Sequence, residues 1–161
     1  MAKRIGAIVL VLLMLIPSSC CSPSTMPFNG NIQFHSISLT VPQRFIRDST
    51  QSNDDLWIFL NSNYSEYILI SRSDVTGDVP SALADYAESM FAIGAECSIV
   101  AFLGRDAVAS TYYSEDMYCQ EILFYHDNSL YAVALRGGTE SDFLEITNTI
   151  TLIGGSEIVP V

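Results

Sequence analysis

His35 and His126 are the only histidines in the 161-residue chain, so any chemistry that needs imidazole must use one of them. No His or Cys pair has the spacing of a zinc site. His126-Asp127 sets an imidazole beside a carboxylate, the pairing that activates a serine if the fold delivers one. No Gly-x-Ser-x-Gly elbow accompanies it, and His126-Asp127-Asn128 reads as a turn. Asp54-Asp55 and Glu115-Asp116 are adjacent carboxylates. A catalytic pair needs one carboxyl in an apolar setting that raises its pKa, whereas acids in loops serve solubility. Asp74-Val-Thr-Gly-Asp78 lacks the alternating ligands and closing glutamate of a calcium loop, and Asp78 reads instead as a helix cap. No catalytic, cofactor-binding or metal-ligating residue is therefore assigned. No cofactor is expected, and the chain reads as non-enzymatic.

Charge narrows the field further. Lys3 and Arg4 sit at the N-terminus, and beyond Cys20 there are five arginines, no lysine and all 18 acidic residues, a net charge of −13. Without lysine there is no P-loop and no Schiff-base amine. The field repels nucleic acid, which needs a basic face to replace counterions, and it repels an anionic lipid surface. The acids are scattered, as on a solvated surface; a cationic ligand is the functional alternative. Cys97 and Cys119 are expected on strands separated by one other, about 9 to 10 Å apart at about 4.8 Å per strand step, so two buried thiols are expected, with a disulfide, which export would permit, as the alternative. Tyr112, Tyr113, Tyr118, Phe124, Tyr125 and Tyr131 crowd one region. An exposed row of them could grip a sugar or a protein, but cross-strand packing accounts for most.

The elements that would position these groups follow from periodicity. Ile32 to Val41 reads as one strand, with Ile37, Leu39 and Val41 alternating with Ser38 and Thr40, and Pro42 ends it. Gln43 to Asn53 is polar and reads as a loop. Asp55 to Leu60 and Glu66 to Ser71 form a hairpin around Asn61-Ser-Asn-Tyr-Ser65. A helix follows, capped by Asp78, with Pro80 in its first turn, and Leu83, Tyr86, Ala87, Met90 and Phe91 at helical spacing until Gly94. Cys97 to Leu103, Ala107 to Tyr113, Met117 to Tyr125 and Ser129 to Arg136 form a four-strand meander with short polar turns. A last helix runs from Glu140 to about Leu152, capped by Thr139 with Asp142 at the third position. Strand runs separated by helices predict an α+β class: a twisted antiparallel sheet of about six to seven strands with two helices packed on it.

The N-terminus carries an address. Met1-Ala-Lys-Arg4 is basic, and Ile5 to Ile16 is uncharged but shorter than the roughly 20 residues of a membrane span. That pattern reads as an export signal, residues 1–20. Ser18-Ser-Cys20 resembles the lipobox of bacterial lipoproteins, in which small residues precede the cysteine that becomes the acylated N-terminus. The resemblance implies a lipid anchor on Cys20, or on Cys21, and attachment to the outer side of the cell membrane. An ordinary secretory signal cut near Cys20 to Ser22 is the competing reading. Residues 21–30, rich in Ser, Pro, Asn and Gly, read as a flexible tether. Residues 31–155 are one domain and 156–161 a loose tail.

The element order resembles the Mog1/PsbP-like fold, an α/β/α sandwich. The likeness rests on the strand ending in Val41-Pro42, the hairpin before the first helix, and Ser129-Leu-Tyr-Ala-Val-Ala134 running into Thr139-Glu-Ser-Asp-Phe-Leu-Glu-Ile146. It implies the company of photosystem accessory subunits, a Ran-binding protein and bacterial lipoproteins. The expected function is a membrane-anchored accessory or binding domain. Its partners would be the bilayer, through the anchor, and an envelope protein or small ligand. A divergent envelope hydrolase and a structural subunit of a membrane complex are the alternatives.

Overall fold

A computed structural model describes residues 30–75 and 77–154, so the expected signal, Cys20, most of the tether and the tail lie outside the described residues. Among the described residues ten strands and two helices follow in order: β1 Asn31–Phe34, β2 Ile37–Thr40, β3 Phe45–Arg47, β4 Leu56–Asn61, β5 Tyr67–Asp74, α1 Val79–Ala92, β6 Glu96–Phe102, β7 Arg105–Ser114, β8 Met117–His126, β9 Ser129–Arg136, α2 Glu140–Thr147 and β10 Thr151–Leu152. Seven strands form one antiparallel sheet in the order β3-β4-β5-β9-β8-β7-β6, and β1-β2-β10 form a smaller one. The class is α+β, with the two helices on opposite faces of the main sheet.

Strand alternation builds both faces. On one, Phe45, Phe59, Ile68, Ile70, Phe124 and Val133 pack against β1 and β2, with Ile146 of α2 and Ile150 beside them. On the other, Val108, Cys119, Leu123 and Leu130 receive Leu83, Tyr86 and Met90 of α1. Each large apolar side chain buried this way contributes roughly 1.5–3 kcal/mol. Every residue of β9 is buried, as a central strand covered on both sides requires. Among the described residues no helix is long and apolar enough to cross a membrane.

Local chemistry sets the ends of α1. The Asp78 carboxylate accepts from Ser81 N at 3.1 Å and Pro80 occupies the first turn. Gly94, at φ 84°, lets Ala95 N reach back to Met90 O at 3.0 Å. The meander turns are tighter than the sequence suggests. Leu103-Gly104, Glu115-Asp116 and Asp127-Asn128 are two-residue turns with both residues at positive φ, the twist that antiparallel hairpins favour.

Three expectations are corrected. Ile32 to Val41 is not one strand but a hairpin, reversed at His35-Ser36 with His35 at φ 51°. Phe45–Arg47 is not loop: it pairs with β4 as the sheet edge, and Phe45 is fully buried. The last helix stops at Thr147 rather than near Leu152. Thr149 Oγ1 accepts from Thr40 N at 2.8 Å, and Thr151–Leu152 add a strand to β2. Thr147, Thr149, Ile150 and Thr151 are β-branched, which weakens the helix there and favours extension.

Candidate functional site

The two histidines and the Asp54-Asp55 pair gather at one end of the main sheet, as braces, and Glu115-Asp116 caps the other end of β8. His126, the last residue of β8, is 4% exposed. Arg105 Nη1 stands 3.2 Å from His126 Nδ1 and His126 Nε2 stands 3.4 Å from Ile153 O. Arginine only donates and a carbonyl only accepts, so the partners assign the ring proton to Nε2. Both nitrogens are occupied, and among the described residues no serine, threonine or cysteine side chain bonds the ring. Asp127 turns away and accepts from Ser36 Oγ at 2.7 Å.

The turns at His35, Asp54 and Asp127 are thereby stitched together. His35 Nε2 donates to Asp54 O at 2.6 Å and lies 3.7 Å from Asp55. Asp55 pairs with Arg72 at 3.2 Å, and Arg72 also holds Asp74 and donates from Nε to Ser129 Oγ at 3.0 Å. Asp54-Asp55 is therefore divided between a backbone bond and an ion pair, and Asp74 and Asp78 go separate ways. Glu115-Asp116 is a hairpin turn, with Glu115 3.5 Å from Arg136 Nη2. Among the described residues no group of three His, Cys, Asp or Glu side chains is placed to hold a metal ion. Cys97 and Cys119 are free thiols on β6 and β8, with β7 between them.

A second polar cluster, one the sequence reading missed, lies beneath α1. Glu121 sits on β8 among Cys119 and Leu123, opposite Ser110 of β7, and is 7% exposed. Tyr112 Oη donates to Glu121 Oε2 at 3.4 Å. Burial pushes the Glu121 carboxyl up to about 7, opposed by the hydroxyls of Tyr86 and Tyr112. Tyr86 Oη and Ser110 Oγ are buried beside the carboxyl, neither in full hydrogen-bond geometry with a partner. Arg136, 2% exposed on β9, bonds Ser114 Oγ at 3.3 Å and lies over the Tyr67 ring at 6.0 Å. Burial raises the Cys119 thiol pKa, and Arg136 holds it back. The signal was available: Glu121 lies between Cys119 and Leu123 on a face of β8 that is otherwise apolar or aromatic, which places the acid in the core.

Four of the exposed apolar side chains lie on α1, on β6 or just beyond their ends. Ile99 on β6 is 61% exposed and Phe91 at the end of α1 is 59% exposed, with Ile93 and Leu103 also open. Of the expected aromatic row, Tyr112, Phe124 and Tyr131 are buried, whereas Tyr113 stands in solvent with Tyr118 at 5.4 Å.

No family model matches the chain, and no curated protein matches it. Solved structures do. A crystal structure from Bacteroides thetaiotaomicron VPI-5482 is similar at a TM-score of 0.56 and 14% identity over 79% of this chain; the chain spans 50% of that one's length. The solution structure of cyanobacterial PsbP (CyanoP) from Synechocystis sp. PCC 6803 is similar at a TM-score of 0.53 and 10% identity, over 85% of this chain and 99% of that one. At these identities the likeness is one of fold, and the fold is PsbP-like.

Proposed function

We propose that the chain is a non-catalytic accessory domain, held outside the cytoplasm by an acyl anchor on Cys20, that works by binding an envelope partner. The observation that carries the reading is the seat of His126: Arg105 and Ile153 O engage both ring nitrogens, so the one histidine beside an acid in sequence is a brace. The PsbP-like fold supports it, since the resemblance implies accessory subunits more than enzymes. The acidic composition supports an anchor made by lipid, because the domain itself would be repelled from anionic headgroups. The test separates this reading from a divergent hydrolase. Purified full-length chain is incubated with isolated envelope polymer and soluble fragments are measured. No release is expected. Release that disappears in His126→Gln would return the chain to the hydrolases.

A further inference from the structure

The strand β6 forms one edge of the seven-stranded sheet, and no described strand pairs with its outer side. Its sequence, Glu96-Cys-Ser-Ile-Val-Ala-Phe102, has one charge, at its first residue, and no proline. Folded proteins usually blunt an edge with lysine, proline, a bulge or shortness, because open N–H and C=O groups template further pairing. The opposite edge follows that rule: β3 has three residues, with Arg44 before it and Arg47 at its end. Strand β6 is seven residues long and pairs with β7 without a bulge from Glu96 to Phe102. Ser98, Ile99 and Ala101 on it are exposed.

The geometry points to β6 as a docking edge that takes an extended, basic segment of another protein as an eighth strand. It rests on the accessory-domain reading and supplies its surface. Main-chain bonds along the edge would give affinity, and Ile99 a side-chain contact. Charge selects the occupant. Glu96 at the start of the strand and Asp106 on β7, opposite Ala101, stand in solvent, and α1, which packs on β6, carries exposed Asp85 and Glu88 and no basic residue. Arg105 is committed to Tyr125 O at 2.9 Å and to His126. A second copy would bring two strongly acidic chains together, so an incoming strand with lysine or arginine is favoured over self-pairing.

Hydrogen exchange on the full-length chain in detergent tests this, with Ac-Lys-Val-Lys-Val-Lys-Val-amide as probe. Near ten times its Kd, the peptide should slow exchange across residues 96–102 about tenfold, since binding divides the free fraction by 1 + [L]/Kd. The glutamate counterpart should give no protection. A Lys-Pro alternating peptide of equal charge cannot add a strand and should also fail. Ile99→Lys, an exposed change that leaves the fold intact, should abolish the effect. No protection of β6, or equal protection by the proline peptide, would overturn the proposal. Concentration-dependent protection without peptide would replace the occupant with a second copy. None of these outcomes depends on acylation, so a failed anchor and a failed edge are distinguishable.

Discussion

Tyr112 Oη and Glu121 Oε2 lie 3.4 Å apart beneath α1, so a carboxyl is carried by a face that otherwise receives Leu83 and Met90. Burial raises the Glu121 pKa from about 4.5 when exposed to about 7. A carboxyl raised in the folded state contributes fully below its unfolded pKa, and the contribution is lost as pH rises through the folded value. Stability should therefore fall between about pH 5 and pH 8, by at most about 3 kcal/mol from this group. Glu121→Gln keeps the shape and removes the titration. Thermal unfolding of both proteins at pH 5 and pH 8 checks this: the wild type should lose Tm on going to pH 8, and the variant should lose clearly less.

Arg105 binds Tyr125 O and His126 across the β7–β8 ladder. Arg105→Met keeps most of the stem and removes the donors. The two acceptors would then be left short of partners in a half-buried site, at a cost of about 1–3 kcal/mol. Urea denaturation should show a lower midpoint with an unchanged slope. An unchanged midpoint would mean that water replaces the guanidinium freely.

Two glycines with similar backbone angles should respond differently. Gly137 has φ 79°, and a Cβ there would meet Ser65 O at 2.1 Å, a backbone atom that cannot swing aside. Gly104 has φ 75° and open space around the same position. Gly104→Ala should cost about 1 kcal/mol, the strain of a left-handed residue, and Gly137→Ala at least about 3 kcal/mol. Equilibrium unfolding of the two variants side by side measures the difference.

The Asp78 cap of α1 offers a smaller effect. Asp78→Ala removes the acceptor for Ser81 N and Ser81 Oγ and should cost about 1 kcal/mol. Asp78→Ser should recover most of it. Loss that serine does not restore would point to a role beyond capping.

Much of this architecture was legible because period and punctuation agree. Leu83, Tyr86 and Met90 recur at helical spacing between Asp78 and Gly94, and α1 lies between those residues. The β1–β2 reversal, read in the sequence as one continuous strand, did leave a trace in the phase of the alternation. Ile32 and Phe34 are even-numbered, Ile37 and Leu39 odd, and all four are buried; the slip at His35-Ser36 marks the turn. Strand β3 left little trace, because three residues with one buried side chain, Phe45, cannot establish a period. The end of α2 misled because Ile150 is buried as a helix face would bury it, while its chain is already turning toward β2. At the candidate sites, tertiary partners decided. Nothing local to His126-Asp127 announces that Arg105, Ile153 and Ser36 will claim its polar groups. The free edge of β6 depends on sheet order, which no single strand's sequence contains.

The measurement closest to the central claim is acylation in a living bacterium. Full-length chain, Cys20→Ala and Cys21→Ala are expressed with a labelled fatty acid, and label and location are followed. A tethered accessory domain predicts label and membrane attachment in the wild type and in Cys21→Ala, and neither in Cys20→Ala. Unlabelled wild-type protein free in the medium would contradict the anchor and make this a secreted domain.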